Sequence, residues 1–231
     1  MTKNQEMSKQ LETLLALKAP PVGLVFSEAP LPGVARVDGP APAGCAYWKR
    51  AAKGDVFYTV GEDHLGCAIG AHTHGAELTV DAKNNLMAMI GMMTDAGYIE
   101  ASEIPAIPHR TSKLDFVTYG PLDRLPRDAD VVLVRATPRS AMLLAEATHA
   151  AGVRSEHASV IRPACAMIPD VMKNGRAATS FGCIGNRVYT ELPDDEVWSA
   201  LDGPALAATL AKLDTIVAAN QKLESFHRAR A

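Results

Sequence analysis

Four cysteines, Cys45, Cys67, Cys165 and Cys183, are the residues of this chain best suited to carry chemistry. They are separated by 21, 97 and 17 intervening residues, so none belongs to the C-x-x-C pair that marks a zinc ribbon or a ferredoxin. Their local settings are more informative than the spacing. Cys45 follows Gly44, Cys67 follows Gly66, and Cys183 lies within Gly182-Cys183-Ile184-Gly185. Glycine lets the backbone turn sharply and approach closely, so that amide N–H groups can point at sulfur or at an anion. Gly66, Gly182 and Gly185 are therefore expected beside a cofactor. Cys165 follows Pro163, which is well placed in the first turn of a helix ending at Gly175, and a helix start favours thiolate over thiol.

Four thiolates suffice for one [4Fe-4S] cluster or one structural zinc, and three with an exchangeable fourth position would suit substrate binding at iron. Read from the residues alone, other roles stay open. Free cysteine is among the most buried residue types, Gly-Cys neighbours can arise by chance among 17 glycines, and Cys165 with Cys183 could form a reactive pair. Histidines crowd the same stretch: His64 precedes Cys67, and His72 and His74 follow it. Zinc or haem iron could use them, but a solvated polar loop is the expectation. His109, His149, His157 and His227 have no motif context and read as surface or packing residues. Arg162 and Arg187 flank the last two cysteines and could hold an anionic substrate or offset thiolate charge. Asp194-Asp195-Glu196 reads as a solvated turn after Pro193.

The elements that must position these residues follow from apolar periodicity. Leu11, Leu14, Leu15 and Leu17 predict an amphipathic first helix ended by Pro20 and Pro21, followed by a buried strand over 22–26. Residues 28–44, rich in Pro, Gly and Ala, predict a long ordered loop. A short helix over 45–53 and a strand over 56–60 come next, then a loop over 61–75 that carries Cys67. The Met-rich stretch 84–96 predicts a helix packed in the core. Strands are expected over 114–119 and 131–136, a helix over 139–151, and a strand over 177–181 that 188–191 resumes. The tail, 204–229, predicts a long helix with Leu206, Leu210, Leu213, Ile216 and Val217 as its stripe. This alternation points to an α/β (or α+β) fold: a single domain over 1–231, with a mixed sheet flanked by helices and a long C-terminal helix.

Composition narrows the function. A chain of 231 residues, 48% hydrophobic and 21% charged, buries enough apolar surface to fold without disulfide staples. A formal charge of -3 with mixed signs leaves no basic run for nucleic acid, and no apolar run approaches the roughly 20 residues needed to cross a bilayer. Residues 1–10 lack the basic and apolar segments of a secretory signal, so a reducing cytoplasm is expected. There is no G-x-x-x-x-G-K-[ST], G-x-G-x-x-G, G-x-S-x-G or H-E-x-x-H, which argues against nucleotide-driven and common hydrolase chemistry.

The segment Ser180-Phe181-Gly182-Cys183-Ile184-Gly185-Asn186-Arg187-Val188-Tyr189 resembles the Gly-Cys-x-Gly-x-Arg-x-Tyr signature of the family catalogued as domain of unknown function 169. The resemblance runs from Pro20-Pro21-Val22-Gly23-Leu24 to Asp194-Asp195-Glu196. Members tend to carry cysteines at positions matching Cys45, Cys67 and Cys165, which implies a shared site; Ala71-His72-Thr73-His74 departs from the more apolar stretch expected after Cys67. The resulting expectation is a cytoplasmic iron-sulfur protein in which Cys45, Cys67, Cys165 and Cys183 bind one cluster, with Gly66, Gly182, Gly185 and Arg187 around it. Its work would be redox or Lewis-acid chemistry on a small-molecule substrate or with an electron-transfer partner. A zinc, soft-metal or haem module and a metal-free thiol-redox protein are the alternatives, and a homo-oligomer is compatible with each.

Overall fold

The computed structural model describes residues 2–153 and 163–231, with the backbone alone at 155–156. Helix α1 (Lys3–Leu15) starts at Thr2, whose side chain accepts from the Gln5 amide while Gln5 reaches back to the Thr2 amide. Its buried residues Asn4, Ser8, Leu11 and Leu15 form one stripe, and it ends at Ala16 rather than running on to the prolines. Then follow β1 (Val22–Ser27), β2 (Ala35–Arg36), α2 (Ala46–Ala52), β3 (Phe57–Val60), α3 (Ala68–Thr73) and α4 (Val80–Asp95). The second half comprises β4 (Phe116–Pro121), β5 (Val131–Ala136), α5 (Pro138–Ala150), β6 (Ser155–Glu156), α6 (Met167–Asn174), β7 (Ala177–Ser180), α7 (Ile184–Thr190), β8 (Val197–Asp202) and α8 (Leu206–Arg228).

Among the described residues, eight strands form one mixed sheet in the order β2-β3-β4-β1-β5-β8-β7-β6. Its six inner strands pair antiparallel, and parallel pairs close both edges. Register decides which side chains meet: Tyr119, Leu24, Phe57 and Val131 lie on one row across the strands. The expected α/β fold with a mixed sheet and a long C-terminal helix is present.

The sheet separates two cores. On one face α1, α5 and α8 cover Val25, Val132, Val134 and Leu201 with Leu11, Leu15, Leu144, Leu206, Leu210 and Leu213. On the other, α2 and α6 cover Leu24, Val131, Leu133 and Tyr119, and α7 packs on α2. Cys45 and Cys165 are buried in this second core, and Cys67 and Cys183 pack against it.

Four expectations need correction. The Met-rich helix is α4, but Ala82 is its one buried residue, Met87 and Met92 are about two-thirds exposed, and it packs chiefly on α3. Its apolar stretch is wide, yet the sheet faces are already covered by other helices. Residues 188–191 do not resume a strand; Ile184–Thr190 is helical despite its β-branched residues, because α7 packs on α2. The loop over 61–75 contains a 3-10 turn (Gly61–His64) and α3. Glu196 is buried rather than solvated, paired with Arg135 at 2.6 Å and with Lys18, while Asp194 and Asp195 are exposed.

Candidate metal centre

Each cysteine stands at the start of a helical segment. Cys45 precedes α2, Cys67 precedes α3, Cys183 precedes α7, and Cys165 occupies the 3-10 turn Ala164–Ala166 that leads directly into α6. The three that cap α-helices make no side-chain bond to the helix amides, so their sulfurs are not used in capping. All four thiols are free.

The fold brings them together across 97 residues of chain between Cys67 and Cys165. A Cβ placed on Gly70 would lie 3.7 Å from the Cys67 Sγ and 3.8 Å from the Cys165 Sγ, so both sulfurs border the same small space. Cys45 feels the charge of Cys183 and Cys67, and Cys165 feels that of Cys67, Cys45 and Cys183. Among the described residues no three His, Cys, Asp or Glu side chains are grouped to hold a metal ion as they stand. Cys165 is thus within electrostatic reach of the other three cysteines, and Cys45 of all of them.

Burial dominates their protonation. The Cys45 thiol is pushed up to about 12, first by desolvation and then by Cys183 and Cys67, while the Asn186 amide acts in the opposite direction. Cys165 is raised further by desolvation, with Thr73 opposing and the other three cysteines adding to the rise. A cation offsets the cost of deprotonating such thiols, so a thiolate-binding metal would be held with proton release.

Cys45 and Cys165 form the closed end of the site, and the half-buried Cys67 and Cys183 form its open edge. Around Cys183 that edge is apolar: Phe181, Ile184 and Val188 are exposed, Ile184 at 78%. In the same core, several buried polar atoms have no hydrogen-bond partner among the described residues: the Tyr119 hydroxyl, both amide atoms of Asn186 and the Trp48 indole N–H. Tyr119 lies near enough to Cys45 and Cys165 to be raised by them, after burial and Tyr47. An unsatisfied buried polar atom costs about 1–3 kcal/mol, so such a group in a native core signals a role beyond packing.

Other predicted residues take different positions. Gly66 is needed for close approach of the chain, since a Cβ there would meet the Ala41 carbonyl oxygen at 2.5 Å. Gly182 adopts φ +81°, which favours glycine, and a Cβ there would press on Asn186 and Arg187. A Cβ on Gly185 would make only ordinary contact, with the Tyr189 ring. Arg187 donates to the carbonyls of Phe181 (2.6 Å) and Pro193 (2.8 Å) and pairs with Asp194, so its guanidinium braces the loop that carries Cys183.

The histidines are not one solvated loop. His64 and His74 are fully buried with rings 5.4 Å apart, His64 bonded to Thr59 at 2.9 Å; His72 is exposed and stacks on His109. Burial lowers His64 to about 4, and burial with the neighbouring His64 lowers His74 to about 3, so both are neutral imidazoles. His109, His149 and His227 are on the surface, as expected; His157 and Arg162 lie outside the described residues. Sequence reasoning passed over Gly70, Thr73, Tyr119 and Asn186. Of these, Asn186 was visible within the cysteine motif, three residues beyond Cys183.

A family model described as uncharacterised ArCR, domain of unknown function 169, matches residues 10–211. The chain belongs to this family. The match spans all four cysteines and the sheet that positions them, leaving the outer part of α8 beyond it. No curated protein and no solved structure matches the chain. Among the described residues, no helix is long and apolar enough to cross a membrane.

Proposed function

We propose that this member of the domain of unknown function 169 family is an iron-sulfur protein that binds one cluster, [4Fe-4S] in type, through Cys45, Cys67, Cys165 and Cys183. The observation that carries the reading is the approach of four free thiols from four separate helix starts, with Cys45 and Cys165 each within electrostatic reach of the other cysteines. Four thiolates match the ligand number of one [4Fe-4S] cluster.

When bound, such a cluster supplies one-electron redox chemistry, or a Lewis-acidic iron where one ligand position opens to substrate. The protein's own residues divide the remaining work. Cys45 and Cys165, on the dry side, give up their thiol protons on binding, and the surrounding core excludes water. Cys67 and Cys183 define the edge from which a small molecule or an electron-transfer partner reaches the site. Arg187 fixes the Cys183 loop by holding the Phe181 and Pro193 carbonyls. Four free thiols are compatible with a reducing, cytoplasmic setting.

Single cysteine variants test the ligand set by iron and acid-labile sulfide analysis after anaerobic purification. Cys165→Ser and Cys45→Ser should lose most bound iron, and Cys183→Ala likewise. Unchanged iron in all of them would overturn the reading.

A further inference from the structure

Helix α4 carries a pattern that its own chain does not use. Of its 16 residues Ala82 alone is buried, and the helix packs chiefly on α3. On its outward side Lys83, Met87, Gly91 and Asp95 follow one another at intervals of four residues, so they form one ridge along the helix. Lys83, Met87 and Asp95 are exposed, and a Cβ placed on Gly91 would meet nothing within 4 Å. Neither the Lys83 ammonium nor the Asp95 carboxylate has a hydrogen-bond or ion-pair partner among the described residues. Val80 and Met92 leave further apolar surface in water beside the ridge. Glycine inside a helix weakens it, and at Gly91 neither a positive φ nor a neighbour in the same chain requires one. Close approach by something outside the chain would account for it.

We propose that α4 is the interface of a homodimer, in which two copies of this chain pair their α4 helices antiparallel about a two-fold axis. The ridge is self-complementary under that operation. Ridges of i, i+4 residues on two helices interdigitate when the axes cross at about −50°. Lys83 then meets the partner's Asp95, and Met87 enters the gap over the partner's Gly91. Symmetry repeats both contacts, so an ion pair closes each end of the apolar middle. A parallel pairing would instead set lysine against lysine and aspartate against aspartate, so charge selects the antiparallel register. The same complementarity names the occupant, because one copy supplies both halves of the match. Each chain already encloses both of its cores, so the monomer is a folded unit and the pairing is reversible. The proposal does not depend on the cluster reading.

The test uses the full-length protein in sedimentation velocity and light scattering, over a concentration series that reaches the high micromolar range. Wild type is expected to pass from one chain of 24.5 kDa to two as concentration rises. Lys83→Glu sets carboxylate against carboxylate at both ends and should raise the dimer dissociation constant by roughly tenfold or more. Adding Asp95→Lys to that variant restores opposite charges and should return dimerisation to the wild-type level. Gly91→Leu, whose Cβ meets no atom of its own chain, should also weaken the dimer by closing the gap that Met87 enters. Circular dichroism checks that each variant keeps its helix content. A wild type that stays monomeric throughout the series would overturn the proposal, as would a dimer that Lys83→Glu and Gly91→Leu leave unweakened. A double charge reversal that remains as weak as Lys83→Glu would overturn the antiparallel register.

Discussion

The two faces of the sheet are built on opposite rules. The face under α1, α5 and α8 is an aliphatic core of leucine, valine and alanine. The opposite face holds Tyr47, Trp48, Phe57, Tyr119 and Trp198 around cysteines, with His64 and His74 buried beside them. Trp48 and Trp198 meet edge to face at 5.3 Å, and neither indole N–H has a hydrogen-bond partner among the described residues. The first face contributes stability through apolar burial; the second gives up part of it by enclosing polar atoms and thiols that packing alone would not select. The contrast supports placing the proposed site on the second face.

Substitutions should separate the faces. The largest effect is expected from Cys165→Ser, which should remove most iron, whereas Leu210→Ala on the aliphatic face should cost about 2–5 kcal/mol of unfolding free energy and leave iron stoichiometry unchanged. Denaturant titration beside metal analysis reads both. Comparable iron loss in the leucine variant would erase the distinction. Next, Gly70→Leu should fill the space bordered by the Cys67 and Cys165 sulfurs and lower bound iron severalfold, while Gly70→Ala, whose Cβ makes only ordinary contacts, should retain it.

The buried imidazoles give the cysteine face an acid sensitivity that the aliphatic face lacks. Both His64 and His74 have pKa values lower in the folded than in the unfolded state, so the unfolded chain binds more protons. Their contribution is present above about pH 6.5 and is lost as pH falls toward 4 and below, amounting to roughly 3 kcal/mol for His64 alone. Urea titrations of the metal-free protein from pH 7 to 4 should show this decline, and His74→Leu should flatten part of it. An unchanged slope in that variant would place the acid sensitivity elsewhere. The smallest effect is predicted for Met87→Gln and Met92→Gln on α4, within about 0.5 kcal/mol, because these side chains belong to neither core.

The aliphatic face was the more legible of the two. The stripe Leu206, Leu210, Leu213 announced α8, and the β-branched runs over 22–26 and 131–136 announced β1 and β5. Strand β8 escaped because Ser199 and Ala200 interrupt its apolar run, and its place between β5 and β7 exists only once the sheet is assembled. Helix α7 escaped because Val188, Tyr189 and Thr190 favour strand locally, and tertiary packing overrides them. The cysteines were legible as residues and through their family resemblance, but no local pattern encodes the approach of Cys67 to Cys165. Asn186 and Tyr119 matter only through burial beside sulfur, a property no short motif carries.

The measurement that bears most directly on this account is the ultraviolet-visible spectrum of anaerobically purified protein, with iron, sulfide and zinc quantified on the same sample. A broad absorbance near roughly 400 nm with iron and sulfide in similar amounts is the predicted result. Colourless protein free of iron and sulfide would contradict it, and stoichiometric zinc in that sample would reassign the four thiols to a single ion.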